Sequence, residues 1–393
     1  MDQPDSSVAR KSPRALYLST TDMRTSNGMA QGQQQLLAAL CSLYGKDVDL
    51  LSLAAPAATA RAWLGQRDLP VTVLEGAYAW AARANTTVWY WSGAVLCNKL
   101  GWVSRFPFPV ETPLPEGWIE RYDVIVCYYV WPWHLLGLER AGRKVVVDTG
   151  DVMADRHERL GSRRWVSVTQ QREGAVLRSE SRCLAVSVDD AADFERMYGV
   201  RPQVLSFVPP EHEELVAIAG GDRPARVGYM GAPSYVNEEV LRGMADPAFL
   251  DTLREAGIEL VIAGGICETA DRSVLRDLEQ GGARILGRVA STAEYYRQIS
   301  ATVNPVGPST GVKIKSVETL VAGRSLITTR WGADAGLGAA FPDQVAYVEW
   351  PIDPRALGQV CVEVVRRARS GDQGAARAYV ENATAALRAM LRP

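Results

Sequence analysis

The sequence predicts an α/β protein built from two doubly wound units, each a parallel sheet with helices on both faces. Three observations predict it. Short, near-continuous runs of Val, Ile, Leu and Ala recur along the whole chain, as strands buried on both faces require. Stretches with helical character separate most of these runs. The alternation then restarts after VLSFVPPEHEE (204–214), where Pro209 and Pro210 cannot continue a central strand and an acidic stretch follows. At 393 residues the chain has room for two domains of ordinary size.

The elements follow in order. The opening MDQPDSSVARKSPR is polar, without the apolar segment of a signal peptide, and residues 1–13 are expected to be disordered. ALYLST (15–20) is the first buried strand. A loop, TSNGMAQGQQQ, leads to a helical pattern over Gln33–Tyr44, which Gly45 ends. DVDLLSL (47–53), VTVLE (71–75), DVIVCYYV (123–130), KVVVD (144–148) and CLAVSV (183–188) continue the first series. Residues 204–214 form the candidate linker. Beyond it come RVGYMG (226–231), IELVIAGG (258–265), ARILGRV (283–289), ATVNPV (301–306), SLITT (325–329) and QVAYVE (344–349). Two helical patterns, 354–369 and 373–391, close the chain. Two such units facing each other would bind a ligand in the cleft at the carboxyl ends of their strands.

Composition excludes several classes. With 43 basic and 45 acidic residues the net charge is −2, which argues against nucleic acid as a partner. The six Cys are scattered without a CxxC pair, fitting neither a zinc site nor a disulfide framework, so a reducing cytosol is expected. His134, His157 and His212 are too few and too dispersed for a metal site, so none is expected. The longest apolar run, Val124–Trp133, is too short to span a bilayer and contains Pro132. The expected place is the cytoplasm, with the inner face of the membrane left open.

The chemical signal lies in ATVNPVGPSTGVKIKSVETLVAGRSLITTRWGADAGL (301–337). A strand ends at Asn304-Pro305, and a loop of Gly307, Pro308, Ser309, Thr310 and Gly311 leads into a helix expected to start near Val312. Free backbone N–H groups and the helix dipole at such a terminus suit a diphosphate. Lys313 and Lys315 fall in the first turn, in a chain with six Lys against 37 Arg, which suggests choice of a compact point charge. Glu318, three residues on, lies on roughly the same helix face and can accept hydrogen bonds from both hydroxyls of a ribose. Gly323 then ends the helix. Taken alone, the loop reads first as an ordinary Gly-rich turn with Lys315–Glu318 as a surface ion pair.

The order VGYMGAPSYVNEEVL, ELVIAGG, ARILGRV, YYRQISATVNP, TGVKIKSVETLVAGRSLITT resembles the donor-binding domain of glycosyltransferase family four, over roughly residues 226–337. The resemblance implies the GT-B fold: two facing Rossmann-like domains at 1–208 and 209–370, with 371–393 a helix returning to the N-terminal domain. It implies transfer of a sugar from a nucleotide diphosphate sugar, UDP- or GDP-linked, with retention and without a bound metal or tightly bound cofactor. Glu318 matches the second Glu of the family's Glu-x7-Glu motif, the one on the ribose. The first falls on Thr310, a departure that leaves the donor sugar open. Gly231, Tyr235 and Asn237 match the turn and Y-x-N pattern after the domain's first strand. The family's usual phosphate-binding Arg and Lys there are missing, and Arg288 is the candidate replacement, with pairing to a surface carboxylate as its alternative. Ser309, Thr310, Gly311, Val312, Lys313 and Lys315 complete the expected donor site.

The N-terminal half would then supply the acceptor site. Gly28 and Gly32 allow close backbone approach, or serve only as a turn and a helix-packing position. VVVDTGDVMADRHERL (145–160) is similar to a family segment D-x-H-D followed by Arg. Asp148 and Asp151 end a strand; Asp151 would orient or deprotonate an acceptor hydroxyl, and Arg156 would hold an acidic group. Helix capping is the alternative for the Asp residues. Tyr128 occupies the place of a family His, with His134 nearby as a fallback base.

The acceptor is expected to be a carbohydrate, a lipid-linked molecule or a small molecule, in polysaccharide, glycolipid or glycoconjugate synthesis. Seven of the 11 Trp (Trp80, Trp89, Trp91, Trp102, Trp118, Trp131 and Trp133) lie between residues 80 and 133. They admit three readings: stacking on acceptor sugars, peripheral membrane contact through 76–133, or core filling. Two other functions compete with transfer: a sugar-nucleotide epimerase of the same fold, and a catalytically degenerate partner subunit.

Overall fold

The computed structural model describes residues 12–24, 28–89, 111–154, 168–367 and 372–393, with only the backbone of Trp89. In the first unit β1 (Ala15–Ser19), β2 (Val48–Ser52), β3 (Val71–Val73), β4 (Val124–Tyr128), β5 (Val145–Asp148), β6 (Arg182–Ala185) and β7 (Gln203–Val204) form one parallel sheet, in the order β3-β2-β1-β4-β5-β6-β7. In the second, β8 (Arg226–Met230), β9 (Glu259–Ala263), β10 (Arg284–Gly287), β11 (Ala301–Asn304), β12 (Ser325–Thr328) and β13 (Val345–Tyr347) form another, in the order β10-β9-β8-β11-β12-β13. Every pairing within both sheets is parallel.

Burial on both faces explains the uninterrupted apolar runs. Every residue of β1, β2, β4 and β5 is buried. In β9, Val261 and Ala263 enter the core on one side of the second sheet, while Leu260 and Ile262 enter the core on the other. Alternate residues serve opposite faces, and both faces are apolar because helices cover both. β7 escaped the sequence pattern. It has two residues, the start of the segment read as a linker, and two residues give no period to detect. That segment is also better packed than a linker would be: the helix His212–Ala217 follows Pro209 and Pro210 and buries Leu215 and Val216 in the second core.

In each sheet the chain leaves its first strand toward one edge, then returns to the strand's other side. The reversals fall between β1 and β4 and between β8 and β11, where loops diverge and leave a crevice at the carboxyl ends. The last helix, Gln373–Met390, fastens the two units together. Its stripe Ala376, Val380 and Ala383 joins the second core, and Leu387 and Leu391 join the first. The Tyr44 hydroxyl donates to the Leu391 carbonyl at 2.7 Å, and Arg182 donates to the Met390 carbonyl at 2.9 Å.

Three tryptophans of the aromatic cluster are core residues. Trp131 and Trp133 are buried, and Trp118 meets Tyr78 edge-on at 5.2 Å. Trp133 also donates from its indole to Ser181 Oγ at 3.0 Å. Packing therefore accounts for these three, against the acceptor-stacking and membrane readings. Trp80 is exposed on the helix Ala77–Trp89, and Trp91 and Trp102 lie outside the described residues. Among the described residues no helix is long and apolar enough to cross a membrane.

Candidate active site

The second unit builds its part of the site on one loop and one helix. The helix runs Ile314–Val321, two residues later than the sequence suggested. Gly311 takes a left-handed φ of 74°, a turn that favours glycine, and Lys313 stands at the cap in extended conformation. The Lys313 ammonium donates to the carbonyls of Thr310 and Gly311 at 2.8 and 2.9 Å, so it braces the turn instead of lying in the first helical turn. Ser309 likewise bonds within its own loop, to the Gly307 carbonyl. Asn304 at the end of β11 donates to Ser316 Oγ at 2.9 Å, which ties the helix start to the strand end. Val312 is partly buried against the second core.

Lys315 projects toward the end of β8. Its ammonium donates to Asn237 Oδ1 at 3.0 Å and sits 4.3 Å from the centre of the Tyr229 ring. Asn237 is held in turn by the Tyr229 hydroxyl at 2.8 Å and by its own donation to the Ala232 carbonyl. Gly231 lies beside this group, since a methyl group there would meet Tyr229 and Ile266, each at 3.1 Å. Tyr235 opens the next helix and is exposed. Burial lowers Lys315 to about 7, with Glu318 opposing that shift.

Glu318 is buried and accepts from the Tyr296 hydroxyl at 3.3 Å. Burial raises it to about 7, with the Glu211 carboxylate adding. The surface ion pair is therefore not what forms: Lys315 turns to Asn237 and Tyr229. Arg288 is different. It is exposed and donates to Glu268 at 2.7 Å, the surface pairing that its sequence alternative named.

The first unit meets this loop with residues from several strand ends. Its helix Gly28–Tyr44 starts five residues before the apolar pattern does. A methyl group at Gly28 would lie 2.9 Å from Ile314 Cδ1, so two helix N-termini meet across the cleft. A methyl at Gly32 would lie 3.3 Å from the buried Tyr128 ring. Close approach thus explains both glycines. Beyond Tyr128, Tyr129 adopts a φ of 68°, uncommon for a residue with a side chain. Its ring rests on Gly150, which has a φ of 69° and where a methyl would come within 2.3 Å of the ring.

The turn after β5 carries both candidate aspartates. Asp148 Oδ1 accepts from the Gly150 N–H at 2.9 Å, and burial lifts its carboxyl to about 7. The bond shapes a turn and does not cap a helix. Asp151 is buried and faces the donor loop: a methyl at Gly311 would lie 3.4 Å from its Cβ. Glu173, fully buried, fixes the residues that follow by accepting from the N–H groups of Met153 and Ala154 at 2.7 and 3.2 Å, and from the Tyr198 hydroxyl at 2.8 Å. Arg156 lies outside the described residues. His134 does not join this group. Its ring nitrogen lies 3.0 Å from the Arg172 carbonyl and its ring meets Trp133 edge-on, so its polar contact is structural and the role of fallback base is withdrawn. Burial lowers its pKa.

A cavity of about 170 Å³ opens between the units beside this seam. Val186–Asp190 line one side, Ser309–Lys313 another, and Arg330–Asp334 a third.

Comparison with known proteins agrees with this architecture. Residues 225–365 match the family described as Glycosyl transferases group 1. The match covers the second unit and not the first. Among solved structures, HepE of Anabaena in complex with UDP and glucose shares its fold at 13% identity, a TM-score of 0.53, and coverage of 97% of this chain and 96% of HepE. A glycosyltransferase of Rickettsia africae does so at 12% identity, a TM-score of 0.59, and coverage of 97% and 96%. No curated protein matches by sequence.

Several residues of the candidate site had weak sequence signals. Asp190 belongs to SVDD (187–190), where Ser187 caps the helix Val188–Tyr198 by accepting from the Asp190 N–H at 3.0 Å, and capping conceals any second role. Glu173 sits mid-sequence in a helix start and is visible only through its partners. Trp331 and Asp334 follow β12 as an ordinary strand-to-helix loop.

Proposed function

We propose that this protein is a glycosyltransferase that moves a sugar from a nucleotide diphosphate sugar to an acceptor hydroxyl, the second unit holding the nucleotide and the first presenting the acceptor. One observation carries the reading. Within residues 311–318 the chain presents, in order, a tight glycine turn, a helix N-terminus, the Lys315 ammonium and the buried Glu318 carboxylate. Ribose hydroxyls donate to Glu318, and the diphosphate lies at the helix terminus beside Lys315. UDP is the nucleotide favoured, because HepE, of the same fold, has been solved with UDP-glucose.

Transfer is proposed to retain configuration and to need no metal. Negative charge grows on the departing diphosphate as the sugar becomes oxocarbenium-like, and fixed N–H dipoles with Lys315 stabilise that charge. The departing phosphate oxygen takes the acceptor proton. Asp151, facing Gly311 across the seam, orients the acceptor hydroxyl. Thermal-shift measurements with UDP, GDP, ADP and their sugars test the reading. One nucleotide series should raise Tm, and its sugar derivative should slowly release free nucleotide; no shift with any of them would end it.

A further inference from the structure

Three arginines gather at the end of the second sheet away from the seam. Arg223 precedes β8, Arg297 ends the helix Thr292–Arg297 that leads to β11, and Arg324 precedes β12. All three therefore stand at strand starts, whereas the Gly311 loop follows a strand end. Backbone carbonyls hold them in place. Arg324 Nε donates to the Tyr296 carbonyl at 2.7 Å. Arg223 Nη2 donates to the carbonyl of Ala219 at 3.1 Å and to that of Gly323, the residue before Arg324. Arg324 is only 1% exposed, Arg223 is half-buried and Arg297 is exposed, so the cluster runs from solvent inward.

The charges here do not balance. Among the described residues none of the three arginines forms an ion pair. The carboxylate that acts on Arg324 is that of Asp222, which is exposed. Glu259, at the start of β9, is shared by Arg226 and Arg284 at 2.5 and 3.6 Å, and Asp343, before β13, is exposed. Burial, and after it the charges of Arg223 and Arg297, lower Arg324 to about 10, so it stays a cation at neutral pH. Arg324 Nη1 and Arg223 Nε and Nη1 are shielded from water without a hydrogen-bond partner. Buried donors left unpaired are costly, and more so on cations that repel each other. The carbonyls accept hydrogen bonds but bring no net charge. An anion with several oxygens supplies both acceptors and charge, and the planar guanidinium fork matches two oxygens better than a single-atom ion such as chloride.

We propose that Arg223, Arg297 and Arg324 form a binding site for a small tetrahedral oxyanion of the phosphate class. The site lies on the segment that carries the chain from the helix His212–Ala217 into β8, and it stands independently of the nucleotide-sugar reading above. Calorimetric titration of the full chain with inorganic phosphate at constant ionic strength tests it, and no nucleotide takes part in the measurement. Wild type should bind phosphate, and Arg324→Met should bind it about tenfold or more weakly. Lys315→Met, altered at the other end of the sheet, should bind phosphate within about twofold of wild type. Should Arg324→Met fail to fold, Arg297→Ala, at an exposed position, should weaken phosphate about threefold or more. Binding lost in Lys315→Met but kept in the arginine variants would place the anion at the start of Ile314–Val321 and overturn the proposal. Equal binding by wild type and every variant, or none by wild type, would overturn it as well.

Discussion

The two units share a sheet topology and differ in how each builds its half of the site. The second unit writes its half on one loop and one helix, residues 309–318, with Asn237 and Tyr229 in support. The first gathers its half from four separated places: Gly28–Gly32, Tyr128–Tyr129, Asp148–Asp151 and Asp190. A site on one rigid helix keeps its geometry when its neighbour moves. A site gathered from strand ends depends on every turn that joins it. Nucleotide binding should therefore survive damage to the first unit, whereas the seam should not.

Gly150→Ala is the most severe way to test that contrast. The added methyl would overlap the Tyr129 ring, at a backbone φ that already favours glycine. Urea unfolding should show a loss of about 3 kcal/mol. At a temperature where the variant is folded, UDP should bind nearly as it does to wild type while turnover collapses. Loss of UDP binding in step with turnover would show that the two halves do not act separately.

Glu318→Ala attacks the other half. It removes the acceptor proposed for the ribose hydroxyls and leaves the Asp148–Asp151 turn alone. The UDP dissociation constant should rise by about 30-fold with little change in Tm. Wild-type affinity would remove Glu318 from the site and leave the nucleotide without its anchor.

The same contrast explains what the sequence disclosed. The Gly-rich turn and the helix that carries Glu318 were legible because a loop and the helix it starts are contiguous, and the strands because burial on both faces leaves continuous apolar runs. Lys313 was placed inside the helix that it in fact caps, since nothing in its spacing shows that a left-handed Gly311 delays the helix by two residues. Asp190 and Gly311 meet across 121 positions, and Glu173 reaches back about 20 to hold Met153 and Ala154. Such contacts have no period. The left-handed Tyr129 was silent for a further reason: its sequence gives no glycine, Asn or Asp to announce that conformation.

Lys315 offers a finer measurement within the contiguous half. Burial holds it near 7, so above that pH the free protein carries it largely uncharged. A diphosphate favours the ammonium, so binding takes up a proton, and affinity falls as pH rises from 7 to 8.5 by up to about tenfold per unit. Glu318, raised to about 7, is largely ionised across most of that window, so the slope belongs to Lys315. Calorimetry in buffers of different ionisation enthalpy should show proton uptake in wild type and none in Lys315→Met. Proton release, or uptake that persists in the variant, would assign the titration elsewhere.

Arg288→Ala should have the smallest effect and sets the outer limit of the contiguous half. Arg288 lies exposed with its guanidinium on Glu268, beside Gly265, where a methyl would come within 3.1 Å of Nη2. Solvent screens such a pair, and in the proposed site Lys315 with the helix terminus already supplies charge to the phosphates. Removing it should shift the UDP dissociation constant by at most about fivefold. A much larger loss, matched by Glu268→Gln binding UDP more tightly than wild type, would show that Arg288 leaves Glu268 for the phosphates when the nucleotide arrives. The donor half would then extend past residues 309–318 to the end of β10, and it too would be gathered from distant strands.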